Sequence, residues 1–204
     1  MTLSAPGPGL LDRAGHLAVH RHAGTVFDLT AQLPDQVFRT PRPDTLFCDF
    51  ERFIRPEIWP ALQGLARLHG DDRIELLVLR PDAESYHLPE YGVHPSVSLP
   101  VEGSEDDYWA AIGFEPNDDF AGSLAVAADV ITVTGPSGRW GCWADRGPEV
   151  AVFQGFPDRA ALRAWHDGFG PFQDVTEALE FLLPPVFRGT VPTAYAARLT
   201  TNYG

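Results

Sequence analysis

Three histidines near the start of the chain are the first side chains whose spacing could bind a metal. His16, His20 and His22 form an H-x3-H-x-H pattern. Imidazole nitrogens are common zinc ligands, and His20 and His22 would point to the same side of an extended chain. Asp12 and Asp28 are the only acids near enough in sequence to complete a ligand set, and no cysteine lies nearby. The pattern is therefore more typical of a solvated histidine cluster, and we expect no metal or other cofactor.

The second group of chemically active side chains is acidic and aromatic. No arginine or lysine lies in the 58 residues from 81 to 138, which contain 11 acidic residues and so carry −11 of the net charge of −13. Aromatic residues are interleaved with these acids, and such a surface can attract a basic protein and then hold it. A solvated face that keeps an acidic protein soluble explains the same pattern, and it remains an alternative.

A specific set of side chains is predicted to contact this partner. Its members are Glu105, Asp106, Asp107, Trp109, Glu115, Asp118, Asp119 and Trp143. Trp140 and Trp143 are three residues apart, so a regular strand would point them to opposite faces of a sheet. We expect one of the two to lie in the core and the other to be exposed or in a groove.

An enzyme or small-molecule binder is the alternative function. His87, Tyr91 and His94 lie close together in the sequence, with carboxylates nearby, and such side chains can do acid–base chemistry. Their convergence in a deep pocket would favour this hypothesis, whereas scattered, exposed histidines would contradict it. A purely structural or assembly role is a third hypothesis, and the oligomeric state is not predicted.

Familiar catalytic motifs are missing from the sequence. There is no HExxH, GxSxG, CxxC or EF-hand loop, and no GxGxxG follows a predicted strand. All 15 basic residues are arginine, which excludes a phosphate-loop lysine, a Schiff base and pyridoxal chemistry. Cys48 and Cys142 are predicted to be reduced and buried. These features make an enzyme the less favoured function, and the net charge of −13 argues against nucleic acid or an anionic membrane as a partner.

The elements that must position these side chains can be predicted from periodicity and turn residues. Helices are predicted over 44–54, from Pro56 to a stop at Gly70, over 104–113 with Ser104 and Asp107 as a capping pair, over 158–166, and from 174 to a stop at Pro184–Pro185. Strands are predicted at 25–29, at 74–79 as a strand buried on both faces, and at 97–101 as an edge strand. Residues 130–156 predict an antiparallel meander of three strands.

This order of elements predicts an α+β fold with a mainly antiparallel sheet and helices packed on one side. The whole chain, 1–204, is predicted to be one domain, with residues 1–15 mobile and 185–204 forming an irregular C-terminal tail. No apolar run is long enough to span a membrane, and the first residues do not resemble a signal peptide. We therefore expect a cytoplasmic protein.

Residues 135–153, GPSGRWGCWADRGPEVAVF, resemble a pattern common in small acidic actinobacterial proteins, some of which look like immunity proteins of polymorphic toxin systems. The resemblance rests on the turn at 135–138, on Trp140 and Trp143, on Asp145–Arg146 and on the apolar strand ending at Phe153. It covers a hairpin and implies no catalytic residue. What it implies is a non-enzymatic protein that neutralises a basic partner, such as a nuclease toxin, by binding to it.

Overall fold

A six-stranded antiparallel sheet forms the centre of the protein in the computed structural model, which describes residues 7–204. Its strands lie in the order β1-β6-β5-β4-β2-β3. Their bounds are β1 Leu46–Asp49, β2 Arg73–Arg80, β3 Ser96–Pro100, β4 Val130–Thr134, β5 Gly141–Asp145 and β6 Val150–Gln154. Strands β4, β5 and β6 form the predicted meander, with Thr132 opposite Trp143 and Trp143 opposite Val152.

Helices connect and cover these strands. The α-helices are α1 Arg13–Val26, α2 Phe50–Phe53, α3 Trp59–His69, α4 Leu88–Tyr91, α5 Glu105–Ile112, α6 Leu124–Ala127, α7 Arg159–Phe169, α8 Val175–Glu177, α9 Leu183–Val186 and α10 Thr193–Tyr203. Short 3-10 or π segments precede α3, α4, α6 and α9. In the described part of the chain, no helix combines the length and the apolar character needed to cross a membrane.

The sheet is covered on both faces, which corrects the prediction that helices pack on one side. Along β5, Cys142 and Ala144 face one hydrophobic cluster and Trp143 faces the other. The first cluster is closed by α2, α3, α5 and α7, and the second by α1, α8, α9 and α10. The α+β class and the antiparallel sheet are confirmed. The central strands are apolar at successive positions because each of their faces is buried.

Several predicted elements are confirmed together with their capping residues. Helix α3 ends at Gly70, which adopts φ 71° as its C-cap. Helix α5 begins with a capping box formed by Ser104 and Asp107, and α8 begins with another formed by Asp174 and Glu177. Caps of this kind are local hydrogen bonds between neighbouring residues, so the sequence pattern alone is enough to predict them.

Three predicted elements are wrong, and so is the helix stop predicted at Pro184–Pro185, because both prolines lie in the first turn of α9, where their missing N–H groups need no helical partner. Residues 25–29 are the end of α1 and the turn after it, not a strand. Residues 46–49 form β1 and only Phe50–Phe53 are helical, because pairing of β1 with β6 overrides the helical spacing of the apolar residues. The irregular tail predicted over 185–204 contains α10, which buries Leu199 and Tyr203 against the sheet at a spacing of four residues.

The N-terminal segment predicted to be mobile lies only partly within the structure. Residues 1–6 are outside the described residues. From residue 7 the chain runs beside the edge strand β3, where the Leu11 N–H donates to the Ser96 carbonyl and the Ser98 N–H donates to the Gly9 carbonyl. Helix α1 then begins at Arg13. Pairing of this kind covers an otherwise open sheet edge.

Candidate functional site

Helix α5 presents the first part of the predicted acidic surface. Glu105, Asp106 and Asp107 occupy its first turn and are all exposed. Negative charges are favourable there because the N-terminus of a helix carries a partial positive charge. The Asp107 carboxylate also accepts a hydrogen bond from the Ser104 backbone N–H at 2.8 Å, and this bond holds the pKa of Asp107 below its usual value. Asp107 is therefore ionised at neutral pH.

The opposite side of α5 anchors the helix to the core. Tyr108 stacks on Trp59 with ring centroids 5.4 Å apart, and its hydroxyl donates to the Phe53 carbonyl at 3.1 Å. Trp109, the next residue, points outward and is 47% exposed. It lies one helical turn after Glu105, so the indole and that carboxylate share a face of the helix. The acidic and aromatic side chains are thus held on a rigid element.

The chain after α5 adds the second part of this surface. Asn117 and Asp118 both have positive φ, 59° and 56°, and form a tight turn that brings Phe120 outward. Phe120 is 64% exposed and follows directly after the exposed Asp118 and Asp119. Val126 on α6 is also partly exposed. Most of the surface of the Phe120 side chain is therefore available to a partner.

These side chains enclose an open groove of about 400 Å³. Its lining residues are Glu51, Ile54, Arg55, Trp109, Gly113, Glu115, Phe120, Ser123, Ala125, Val126 and Arg146. The segments that line this groove also carry exposed acids close by in the sequence. We use the name acidic groove for the groove and these acids together, which are Glu105, Asp106, Asp107, Asp118, Asp119 and Asp129. Its lining combines the aromatic and aliphatic side chains of Trp109, Phe120, Ile54 and Val126 with two arginines and two glutamates.

Arg146 lines the groove but serves to hold it together. Its Nε donates to the Ala128 carbonyl at 2.9 Å and its Nη2 to the Ala125 carbonyl at 3.0 Å. Its guanidinium also lies 4.6 Å from the centroid of the Phe50 ring and 3.6 Å from a Glu51 carboxylate oxygen. These contacts join α6 to α2 and partly neutralise the charge. Arg55 is the other cation of the groove and is exposed.

The structure exposes seven of the eight side chains that were predicted to contact a partner and places two of them, Trp109 and Glu115, in one groove. The seven are the six carboxylates of that set and Trp109. The prediction is wrong for Trp143, which is fully buried in the second cluster with its ring centroid 5.9 Å from that of Phe27. The sequence prediction placed one of the two hairpin tryptophans in the core and the other on the surface or in a groove. Both are buried, since the sheet is covered on both faces.

Sequence reasoning did not single out Phe120, Ile54 and Val126 as contact residues. Phe120 was detectable, since an aromatic residue directly after two acids in a Pro–Asn turn has no apolar neighbour with which to form a periodic pattern. Ile54 is the C-cap of α2 and lies about 50 residues before α5 in the sequence. No local pattern could have placed it in this groove.

The histidines do not form a metal site. His16 and His20 lie on α1 one turn apart, with ring centroids 6.2 Å apart, whereas the His22 Nδ1–H donates to the Glu75 carboxylate at 2.8 Å. Across residues 7–204, no three His, Cys, Asp or Glu side chains are grouped so that they could hold a metal ion. The extended conformation considered for this segment is wrong, because α1 places His16 and His20 on one face of the helix and His22 on another.

The proposed catalytic pocket of His87, Tyr91 and His94 has little support in the geometry. His87 has no exposed surface, so its ring cannot reach a substrate, and burial lowers its pKa to about 4. His94 stacks against His16 with ring centroids 5.0 Å apart. The hydrogen bond with Tyr86 raises the pKa of Tyr91 to about 12, which makes it a poor proton acceptor at neutral pH. The arrangement is that of a packed cluster.

The two cysteines are free and buried, as predicted. Burial raises the pKa of the Cys48 thiol to about 12 and that of Cys142 well above its usual value. A thiol is a nucleophile only in its ionised form, so neither cysteine is activated for catalysis.

Comparisons of the chain with protein-family models, with curated proteins and with solved structures find no match. The function therefore has to be argued from the geometry and chemistry of the site itself.

Proposed function

We propose that this chain is a binding protein that holds a basic partner protein in the acidic groove. The observation that carries the proposal is the exposure of Trp109 and Phe120, at 47% and 64%, among exposed carboxylates on a rigid part of the fold. Large aromatic residues at the centre of an interface supply most of its binding energy when a partner buries them. An interface of this kind would bury the surface of Trp109 and Phe120 that the folded chain leaves exposed.

Charge favours a basic partner. Between His94 and Arg139 the sequence contains no basic residue, so the exposed acids around the groove have no cation from their own segment to neutralise them. Uncompensated charge of one sign speeds encounter with a partner of the opposite sign and disfavours acidic ones. The groove itself, which contains two arginines and two glutamates, is suited to apolar contact at its centre with acids around it.

The hypothesis of an immunity protein fits within this proposal. A basic active site, such as that of a nuclease toxin, presents the cationic surface that the acidic groove complements. The exposed aromatic residues would insert into the toxin, and the carboxylates would occupy the place of the phosphates of its substrate. A cytoplasmic location is part of the same proposal, because the toxin would be neutralised where its nucleic acid substrate lies.

The test is a titration of the basic proteins encoded beside this gene, each purified and measured by biolayer interferometry at several salt concentrations. A true partner binds the wild-type chain, and its affinity falls with salt. The substitution Trp109→Ala is expected to weaken binding by at least 2 kcal/mol, about 30-fold. The triple variant Glu105→Gln, Glu115→Gln, Asp118→Asn is expected to reduce the association rate and its dependence on salt.

A charge-matched control separates a local effect from a change in net charge. The variant Asp72→Asn, Asp167→Asn, Glu180→Gln removes the same number of exposed carboxylates from outside the acidic groove. It should bind like the wild type apart from a small uniform loss. Equal losses in the two triple variants would show attraction to the whole acidic protein and would contradict a specific groove.

A further inference from the structure

A second pocket lies where β5 begins and β6 ends. It is formed by the end of α1, the chain at 38–42, the β4–β5 turn and the residues after β6. Its lining residues are Thr25, Val26, Phe38, Thr40, Arg42, Gly138, Arg139, Trp140, Gly141, Gln154 and Gly155. None of them is acidic, although the chain has 28 acidic residues among 204. We refer to this site as the arginine pocket.

We propose that the arginine pocket binds a small oxyanion group, a phosphate or a carboxylate, through Arg42 and Arg139. The inference is independent of the proposed function, which concerns the acidic groove.

The guanidinium groups of Arg42 and Arg139 differ in how many of their N–H donors are free to bind an anion. Arg42 is exposed, and its side chain makes no hydrogen bond or ion pair with the described residues, whereas its backbone N–H is fixed by the Gln154 side-chain oxygen at 3.1 Å. Arg139 uses Nη2 to donate to the His69 carbonyl, at 2.5 Å, which leaves its other N–H groups to face a ligand. A guanidinium presents paired donors that match the geometry of a phosphate or a carboxylate.

The residues that line this pocket carry two positive charges and no negative one. His69, whose Nε2 lies 2.6 Å from the Gly155 carbonyl oxygen, is near both cations. Burial lowers the pKa of His69, and the charges of Arg139 and Arg42 lower it further. Asp71 is the one acid that acts against them there, and its carboxylate already accepts hydrogen bonds from the Ser137 N–H and the Trp140 Nε1–H, both at 2.7 Å.

The size and rigidity of the pocket suit a small group. Its volume of about 70 Å³ corresponds to roughly five water positions at 10–15 Å³ each, and phosphate has five heavy atoms. The backbone that shapes it is closely packed, because a Cβ on Gly155 would lie 2.4 Å from the Trp140 Cα and one on Gly141 would lie 2.5 Å from the Phe27 ring. The pocket is therefore preformed, which reduces the entropy lost on binding.

The test is a titration of the ¹⁵N-labelled full-length chain with sodium phosphate, followed by the backbone amide signals of Gly138, Arg139 and Gly155. Sodium chloride at equal ionic strength is the control for screening, and sodium acetate is a parallel arm. We expect saturable shifts of these amides with a dissociation constant of the order of 1 mM, since so small a ligand makes few contacts. Tighter binding of phosphate than of acetate assigns the site to a phosphoryl group, and the reverse assigns it to a carboxylate.

Matched variants locate the site. Arg42→Gln and Arg139→Gln are each expected to weaken phosphate binding about tenfold or more, the value of a hydrogen bond to a charged group. Arg163→Gln removes an equally exposed arginine on α7 and is expected to leave the titration unchanged. The amide spectrum of each variant reports whether it is folded. Shifts that are the same in chloride, that do not saturate, or that persist in Arg42→Gln would overturn the proposal.

Discussion

The two ends of β5 differ in charge, in size and in the way their side chains are held. The arginine pocket lies beside Gly141, at the start of the strand, and the acidic groove lies beside Arg146, directly after its end. Five residues of strand, about 17 Å, separate them. The pocket of about 70 Å³ has no acidic lining residue, whereas the groove of about 400 Å³ is lined by the exposed carboxylates Glu51 and Glu115.

Equivalent residue types have different roles at the two ends. Trp140 is buried at the pocket and its indole N–H is held by Asp71, whereas Trp109 at the groove is half exposed. Arg146 uses its donors to join α6 to α2, but Arg42 has none of its side-chain donors occupied by described residues. The comparison shows that residue type alone does not assign a function. A polar side chain is structural where neighbouring residues satisfy its hydrogen bonds, and it is available to a ligand where they do not.

The largest expected effect lies in the strand between the two ends. Trp143→Ala removes a fully buried side chain from the second cluster and is expected to reduce the free energy of unfolding by about 3–5 kcal/mol. Trp109→Ala, at the acidic groove, is expected to change it by no more than about 0.5 kcal/mol. Urea unfolding followed by far-UV circular dichroism measures both. If Trp143→Ala does not fold, Trp143→Phe keeps a ring and should show a smaller loss in the same direction. Similar losses at Trp143 and Trp109 would contradict the assignment of one to the core and the other to the surface.

Stability at acidic pH is expected to depend on buried histidines, which belong to neither the arginine pocket nor the acidic groove. Burial is the main cause that lowers the pKa values of His16 and His87 to about 4. The unfolded chain binds protons at these histidines near pH 6.5, whereas the folded chain does not. The stability that comes from keeping them neutral is therefore fully present above pH 6.5 and is lost as the pH falls from 6.5 to 4. Each histidine contributes a slope of at most about 1.4 kcal/mol per pH unit in this window.

The variant His87→Phe tests this dependence. Neither ring nitrogen of His87 has a hydrogen-bond partner in the described part of the chain, so the substitution loses no bond there. The wild type should lose stability relative to the variant as the pH falls from 6.5 to 4, because only the unfolded wild type binds a proton at His87. Phe120→Ala, at the exposed groove, removes no titratable group, so it serves as the control and should show the same pH dependence as the wild type. A constant difference for His87→Phe across this range would show that the buried histidine does not titrate as proposed.

The next effect concerns the turn that carries Arg139. The Asp71 carboxylate accepts hydrogen bonds from the backbone N–H and hydroxyl of Ser137 and from the indole of Trp140. Asp71→Ala leaves the buried indole N–H unpaired and is expected to cost about 2–3 kcal/mol of unfolding free energy. Asp72→Ala, the matched neighbour, loses only an exposed ion pair with Arg73 and should cost less than about 0.5 kcal/mol. The same urea measurement compares the two, and equal costs would disprove a special role for Asp71.

The smallest expected effect on stability is at the groove itself. Phe120→Ala and Glu115→Gln alter side chains that are mainly exposed, so each should change the unfolding free energy by no more than about 0.5 kcal/mol. Both are nevertheless expected to weaken binding of a basic partner, which separates an interface role from a structural one. A loss of more than 2 kcal/mol in stability for Phe120→Ala would mean that the ring packs within the chain.

Local patterns predicted a substantial part of the fold. The meander, β2, α3 with its glycine cap and the capping boxes of α5 and α8 follow from alternation, apolar runs and short-range hydrogen bonds. The failures have a common cause. Residues 46–49 become a strand because β6 pairs with them, and α10 forms because Leu199 and Tyr203 have a buried surface to cover. Both depend on residues more than 100 positions away, which no local window contains.

The sequence by itself determined the charge distribution, the absence of lysine chemistry and the acidic and aromatic character of residues 81–138, because composition does not depend on folding. The tertiary structure alone decided which aromatic residues face solvent, since burial of both sheet faces removed Trp143 from the surface while leaving Trp109 and Phe120 on it. It also decided that Arg42 and Arg139, 97 positions apart in sequence, line one pocket. Such sites arise from contacts between distant segments, and the energy of those contacts is set by the packed core and not by the pattern of neighbouring residues.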